Sequence, residues 1–427
     1  MSVPLDRLYN HLDGLCNHDT IIYRFFPHGS KNLENVAPIK DIDNLDRTVR
    51  DMSPIMFCHD QEPLQPVLSN KDLHQQMSQM YSSFLHLPGL TEMIEKIPYD
   101  MSIRSIFGTR FNAYDRMLLV HSEKNSSVLQ SYIDVGFEPV YWWSHAAIAA
   151  DWFRYAQHDV KLNYTSQFSK DFLIYNRAWS GTREYRLKFV ELLLDHSMQQ
   201  HCQMRFNPVC SDNDYKNFRP QNPVLKCNRR DLEQHFEINV FDSAASADYT
   251  TDDYVRHGLE IVLETLFDDS RLHLTEKVLR PIACGKPFML AATPGSLEYL
   301  RSYGFETFDG LINESYDSIQ DPVQRLHAIV KEMQRIANLP PTEKQQFWSA
   351  THSIAARNKQ IFFDSQWQQS IFDEFVENYN TAFRKIQPTT GHWWKYYRDN
   401  FTRENEPGLD PGNSRDQTVL KWLASRL

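Results

Sequence analysis

Short apolar runs that break off into polar clusters recur along this chain, and they set its expected architecture. Residues 53–58, ending Ile55-Met56-Phe57-Cys58, read as a buried strand that runs into His59-Asp60-Gln61-Glu62-Pro63. Residues 116–122 repeat the pattern and lead to Glu123-Lys124-Asn125. A third run, 136–143, ends at Ser144 and His145. Apolar strands that alternate with helices and end in polar loops predict a parallel α/β sheet. Ligand crevices of such sheets lie outside the carboxyl ends of the strands, so the three polar exits are expected to share one cleft.

A second unit is expected to open at Asp171-Phe172-Leu173-Ile174-Tyr175-Asn176-Arg177, followed by a loop over 178–182 and a helix that Thr182 would cap. The polar stretch 211–228 reads as a surface loop. Residues 259–267 then predict a strand, Thr275 caps a helix carrying Glu276, Lys277 and Arg280, and 286–292 form a further strand. Thr293-Pro294-Gly295 makes a turn, 296–303 a short helix, and 305–308 a last strand. This strand–helix rhythm is that of a nucleotide-binding α/β domain. Beyond Asp321 the pattern is helical, and after Ile386 it turns aromatic and polar. The expected division is a Rossmann-like domain over 1–169, a second Rossmann-like, nucleotide-binding domain over 170–385 and a helical extension over 386–427.

Length agrees, since 427 residues exceed what one compact core usually holds. No run reaches the roughly 20 apolar residues needed to cross a bilayer, and residues 1–20 lack the layout of a signal peptide. Six cysteines without CxxC spacing fit a reducing, cytoplasmic setting. The net charge of −10 opposes bulk coating of nucleic acid, which needs clustered Lys and Arg, although a local basic groove stays compatible with it.

The chemistry concentrates in Leu272-His273-Leu274-Thr275-Glu276-Lys277. A Thr cap leaves backbone N–H groups and the positive end of the helix dipole at the helix start, a ready phosphate site. Lys277 adds a full charge where a cation is unfavourable for the helix, so it needs another reason to be there. Glu276 can accept hydrogen bonds from sugar or ribose hydroxyls. A plain capped surface helix fits the spacing equally well.

The same stretch resembles the Tyr-Ile-Thr-Glu-Lys donor motif of the α-1,3-fucosyltransferases, which are inverting GT-B enzymes, with His273 in place of the aromatic. Its continuation through residue 288 resembles glycosyltransferases encoded by tailed bacteriophages. So do His59-Asp60-Gln61-Glu62-Pro63, His121-Ser122-Glu123-Lys124-Asn125-Ser126, Tyr175-Asn176-Arg177-Ala178-Trp179 and Pro294-Gly295-Ser296-Leu297. The resemblance implies a GT-B fold, two Rossmann-like domains facing a cleft. It also implies a UDP- or GDP-sugar donor held by Asn176, Arg177, Arg183, Thr275, Glu276 and Lys277, with Lys277 on the phosphates. The host cytoplasm would then be the working compartment.

An inverting transfer needs a base for the acceptor hydroxyl. Asp60 and Glu62 sit two apart at a strand exit, share a face if extended, and form a pair whose pKa values tend to separate. His59 and His145 are the alternatives. Neither Asp41-Ile42-Asp43 nor Asp212-Asn213-Asp214 follows a buried strand, so a metal-dependent GT-A enzyme is disfavoured and no metal ligands are expected. Phosphate-loop, zinc-protease and serine-hydrolase motifs are absent. Two acceptors compete. A hydroxymethylated pyrimidine in phage DNA follows from the phage resemblance, and a glycan hydroxyl from the fucosyltransferase motif. A non-catalytic nucleotide- or carbohydrate-binding module is the reading of another class, and no membrane partner is expected.

Overall fold

The computed structural model describes residues 2–16, 20–25, 36–38, 55–64, 117–134, 137–159, 168–210, 213–238 and 248–386. Asp41-Ile42-Asp43 and the extension beyond Ile386 lie outside them. The chain divides into two compact units. One comprises Leu5–Ser122, Ser127–Trp143 and the chain from Asp373 onward; the other comprises Met1–Pro4, Glu123–Ser126 and Ser144–Phe372.

The first of these holds a sheet of β1 (Ile21–Phe25), β2 (Val36–Pro38), β3 (Ile55–Cys58), β4 (Met117–His121) and β5 (Phe137–Tyr141), ordered β2-β1-β3-β4-β5. Only β2 runs antiparallel, on an edge. Met56, Phe57, Leu118, Leu119 and Val120 are buried, as expected of central parallel strands covered on both faces. Trp142 meets Phe375 edge to face at 5.4 Å, and Thr20 pairs with Tyr379, so the last helix (Ser365–Ile386) contributes to this core.

The other unit holds β6 (Lys170–Asn176), β7 (Cys202–Phe206), a two-residue hairpin of β8 (Val209–Cys210) and β9 (Asn213–Asp214), β10 (Glu237–Ile238), β11 (His257–Leu263) and β12 (Phe288–Ala291). Its main sheet is wholly parallel, ordered β10-β7-β6-β11-β12. All seven residues of β11 are buried, and each apolar side chain among them contributes about 1.5–3 kcal/mol on leaving water. Gly258 is obligatory there, because a Cβ would fall 2.6 Å from both the Asp171 carbonyl and the Trp348 ring. Crossover helices Tyr185–Asp195 and Glu276–Cys284 return the chain between strands, and Pro322–Ala337 and Pro341–Phe363 follow the sheet. Gly285 closes the helix Glu276–Cys284 in the left-handed region at φ 66, where a side chain would be strained.

The α/β class, the parallel sheets and the helical C-terminal part agree with the sequence. Three local expectations do not. Thr182 lies inside a 3-10 turn, Gly181–Arg183, and the following helix starts from Glu184 without a side-chain cap. The strand expected over 259–267 spans His257–Leu263, because Glu264 turns its carboxylate to the next helix. Residues 305–308 form no strand; the Phe308 amide bonds the Glu314 side chain, so a carboxylate replaces the ladder. Among the described residues no helix is long and apolar enough to cross a membrane.

Candidate functional site

The carboxyl ends of β6, β11 and β12 lie on one edge of the second sheet, since all three strands are parallel. Glu264 follows β11 directly and is fully buried. Its Oε1 accepts the Thr275 amide at 3.1 Å, while Oε2 accepts the Thr275 hydroxyl at 2.7 Å and the Thr265 amide at 3.1 Å. Thr275 in turn accepts the Lys277 amide at 3.3 Å, the N-cap bond expected from sequence. A buried carboxylate therefore fixes the cap, and the cap fixes the start of the helix that carries Glu276 and Lys277.

Two further residues hold the loop that carries Glu264. The Tyr185 hydroxyl donates to the carbonyls of Glu264 at 2.8 Å and Ala291 at 3.2 Å. Arg186 donates to the carbonyls of Leu263, Glu264 and Ala178 at 2.5, 3.1 and 2.6 Å. Burial pulls the Arg186 pKa down, with neighbouring Arg183 adding to the effect.

Lys277 Nζ donates to Glu276 Oε1 at 2.8 Å, Thr275 Oγ1 at 3.1 Å and Thr265 Oγ1 at 3.3 Å. The other oxygen of Glu276 lies 3.2 Å from His145 Nδ1, close enough for an ion pair though not aligned as a hydrogen bond. Burial alone would raise the Glu276 pKa, but Lys277 and His145 outweigh it and hold the carboxyl well below its ordinary range. His145 sits in the first turn of the helix Ser144–Trp152, is 4% exposed, and meets His273 edge to face at 5.1 Å. All of these residues belong to one unit.

Asn176 ends β6 with no exposed surface, and neither atom of its amide makes a hydrogen bond among the described residues. The Arg177 guanidinium lies 5.0 Å from the Tyr175 ring, and Arg280 lies 4.2 Å from the same ring. Arg280 is neutralised by Glu260 at 2.6 Å. Burial, then the charge of Arg280, pulls the Arg177 pKa down. Arg183 closes the 3-10 turn ahead of Tyr185. A cleft of about 630 Å³ opens beside the end of β12, between Pro294, Gly295, Arg301 and Asp317. None of Thr275, Glu276 and Lys277 lines it.

No protein-family model matches the chain, and no curated protein matches it. Among solved structures, the α,α-trehalose 6-phosphate synthase from Burkholderia multivorans aligns over 81% of this chain and 70% of that one. Identity over that alignment is 13% and the TM-score 0.32. So distant a likeness decides nothing about activity.

Asp60 and Glu62 belong to the other unit. Asp60 is 1% exposed and accepts the Tyr9 hydroxyl at 3.0 Å, while Gln61 donates to the same hydroxyl at 2.7 Å. Burial, reinforced by Asp60, drives the Tyr9 pKa well up. Glu62 is half-buried.

Sequence reasoning missed Glu264, Arg186 and a strap over Glu123–Ser126. In that strap Lys124 and Leu272 exchange backbone bonds at 2.9 Å, and Glu123 pairs with Arg271 at 2.9 Å. The strap thus docks immediately before His273 and the Thr275 cap. The buried glutamate after an apolar strand was the available signal for Glu264.

Proposed function

We propose that this protein is an inverting glycosyltransferase of the GT-B type that uses a nucleotide-sugar donor. The observation that carries the reading is the Glu264–Thr275–Lys277 relay. A buried carboxylate is spent on rigidly presenting a helix N-terminus and a lysine, at the sheet edge where α/β proteins bind ligands. A helix that needed only a cap would not require this support. The donor diphosphate binds the helix start and Lys277, with Arg177 and Asn176 at the neighbouring strand end and Arg183 further out. Glu276 accepts donor hydroxyls.

Transfer follows with the acceptor oxygen forming a bond to the anomeric carbon as the diphosphate oxygen leaves with its electron pair. Lys277 and the helix start offset the charge that builds on that oxygen. The acceptor's proton goes to a base, for which the sequence nominates Asp60 and Glu62. Of the two acceptors, a hydroxymethylated pyrimidine in phage DNA remains the favoured one, on the resemblance of the motifs; a glycan hydroxyl is the alternative. The donor is a UDP- or GDP-sugar and no metal enters the scheme.

Titration calorimetry with UDP- and GDP-sugars tests the donor site. Lys277→Ala should weaken binding by about 1.5–3 kcal/mol, the value of a charged hydrogen bond, and should also lower the thermal midpoint, because buried Glu276 loses its main counter-charge. Equal affinity in variant and wild type would reduce Lys277 to a surface residue and remove the proposal's support.

A further inference from the structure

We infer that His145, oriented by Glu276, is the catalytic base of the transfer. The inference rests on the glycosyltransferase reading and sharpens it at the one step that reading leaves to a strand exit in the other unit. Three observations carry it. His145 is buried, and its Nε2 makes no hydrogen bond among the described residues, although buried ring nitrogens are normally satisfied. Its Nδ1 faces Glu276 Oε2 at 3.2 Å. Glu276 is the neighbour of Lys277 and shares its second oxygen with that lysine at 2.8 Å.

With the proton on Nδ1, the ring nitrogen 3.2 Å from the carboxylate, the neutral ring presents Nε2 as an acceptor. A nucleophile, a base and a group orienting that base form the usual constellation of proton-abstracting sites. In the balanced step the acceptor O–H proton passes to Nε2 and the oxygen bonds the anomeric carbon. The bond to the diphosphate breaks, and the nucleoside diphosphate carries away the electron pair. The imidazolium that results is compensated by Glu276.

The shared carboxylate also links donor arrival to the base. Without donor, Lys277 is neutralised by Glu276. A diphosphate that draws Lys277 to itself leaves the carboxylate's charge to His145, so the base is strengthened when there is a sugar to transfer. Glu276 is then a positioning residue. Asp60, by contrast, already accepts a buried tyrosine hydroxyl, which suits it to holding its strand exit in shape.

The test uses the full chain with UDP-glucose and GDP-fucose, water serving as acceptor, and reads nucleoside diphosphate release alongside donor affinity. His145→Gln should lower turnover at least about a hundredfold and leave donor affinity within about twofold, as expected for loss of a general base. His145→Gly should recover part of the rate when imidazole is added, a response that a merely structural histidine does not give. Glu276→Gln should lower turnover by a smaller factor, because the ring loses the carboxylate that orients it. Normal turnover in His145→Gln, or loss of turnover in Asp60→Asn alone, overturns the assignment. So does a wild type that binds a donor but never hydrolyses it, since a base poised at the donor activates water too. A wild type that binds no nucleotide sugar fails earlier, at the glycosyltransferase reading itself.

Discussion

The two edges of the second sheet both bury polar side chains, and they differ in how several of these are bonded. At the amino ends of the strands, Lys286 donates to the His257 carbonyl at 2.7 Å and lies over the Phe168 ring. His352 bonds the Trp348 carbonyl, and Asp171 takes both His201 and Lys344. These groups find their partners within the core. At the carboxyl ends, Asn176, Thr293 and His145 keep buried polar atoms that make no hydrogen bond among the described residues. An unmade bond of this kind would cost about 1–3 kcal/mol, so such groups are completed by water or by a ligand. Burial of charge therefore does not by itself mark a site; open bonding capacity gathers at the carboxyl edge, with Gln199 Oε1 ahead of β7 as the counterpart at the other.

Glu264 is the exception that tests this contrast most severely, because it stands on the ligand edge yet is fully satisfied. Its role is to hold the edge, so Glu264→Ala should be costly for folding as well as binding. Removing it strands the Thr275 hydroxyl and the amides of Thr275 and Thr265, for an expected loss of about 3 kcal/mol or more in denaturant titration. A loss under about 1 kcal/mol, the usual size of a single net hydrogen bond, would show the edge to be held by other means.

Sequence patterning found the strands well, for a simple reason. Buried parallel strands are apolar on both faces, so residues 55–58, 117–121 and 288–291 announce themselves. The Thr275 cap was legible too, since capping is local. What failed was non-local. Phe305 to Phe308 looks like a strand until Glu314 takes the Phe308 amide. Glu264 lies 11 residues from its partner Thr275, and Arg186 lies 77 from the carbonyl it holds, distances at which periodicity says nothing. His145 and Glu276 were both singled out from sequence, one as a spare base and one as a donor ligand. Their pairing needed the fold.

A second way to sharpen the contrast is to close one open group. Asn176→Val changes the volume little and deletes an amide that bonds nothing among the described residues, so it should stabilise the protein by about 1–2 kcal/mol. Donor affinity should fall at the same time, the exchange of function for stability expected where a site carries unmet polarity. Thermal unfolding and calorimetry on one sample decide the matter. A destabilised variant would mean that the Asn176 amide is satisfied in solution and is part of the framework.

The mildest effect is expected at the opposite edge, from Lys286→Met. Burial pulls the Lys286 pKa from 10.5 to about 7. Between those two values the unfolded chain binds a proton that the folded chain does not, so this group's contribution to stability rises with pH across the window. The slope is at most about 1.4 kcal/mol per pH unit. Below pH 7 both states carry the proton and the contribution levels off at its minimum. Its surroundings do not reverse this, because burial and then Lys286 itself push the His352 pKa down to about 4, and Glu260 is paired with Arg280. The buried cysteines, whose pKa values burial raises, oppose the trend above pH 9, but they are common to both proteins and cancel in the difference. Methionine matches the volume and needs no proton, so the variant should exceed the wild type by about 1 kcal/mol at pH 7. That advantage should vanish at about pH 8 and reverse toward pH 9, where the wild-type amine is neutral and keeps its bond to the His257 carbonyl. Donor binding should not change, since the groups of this edge are satisfied inside the fold. A stability difference that stays flat with pH would show that Lys286 keeps an ordinary pKa in its buried place.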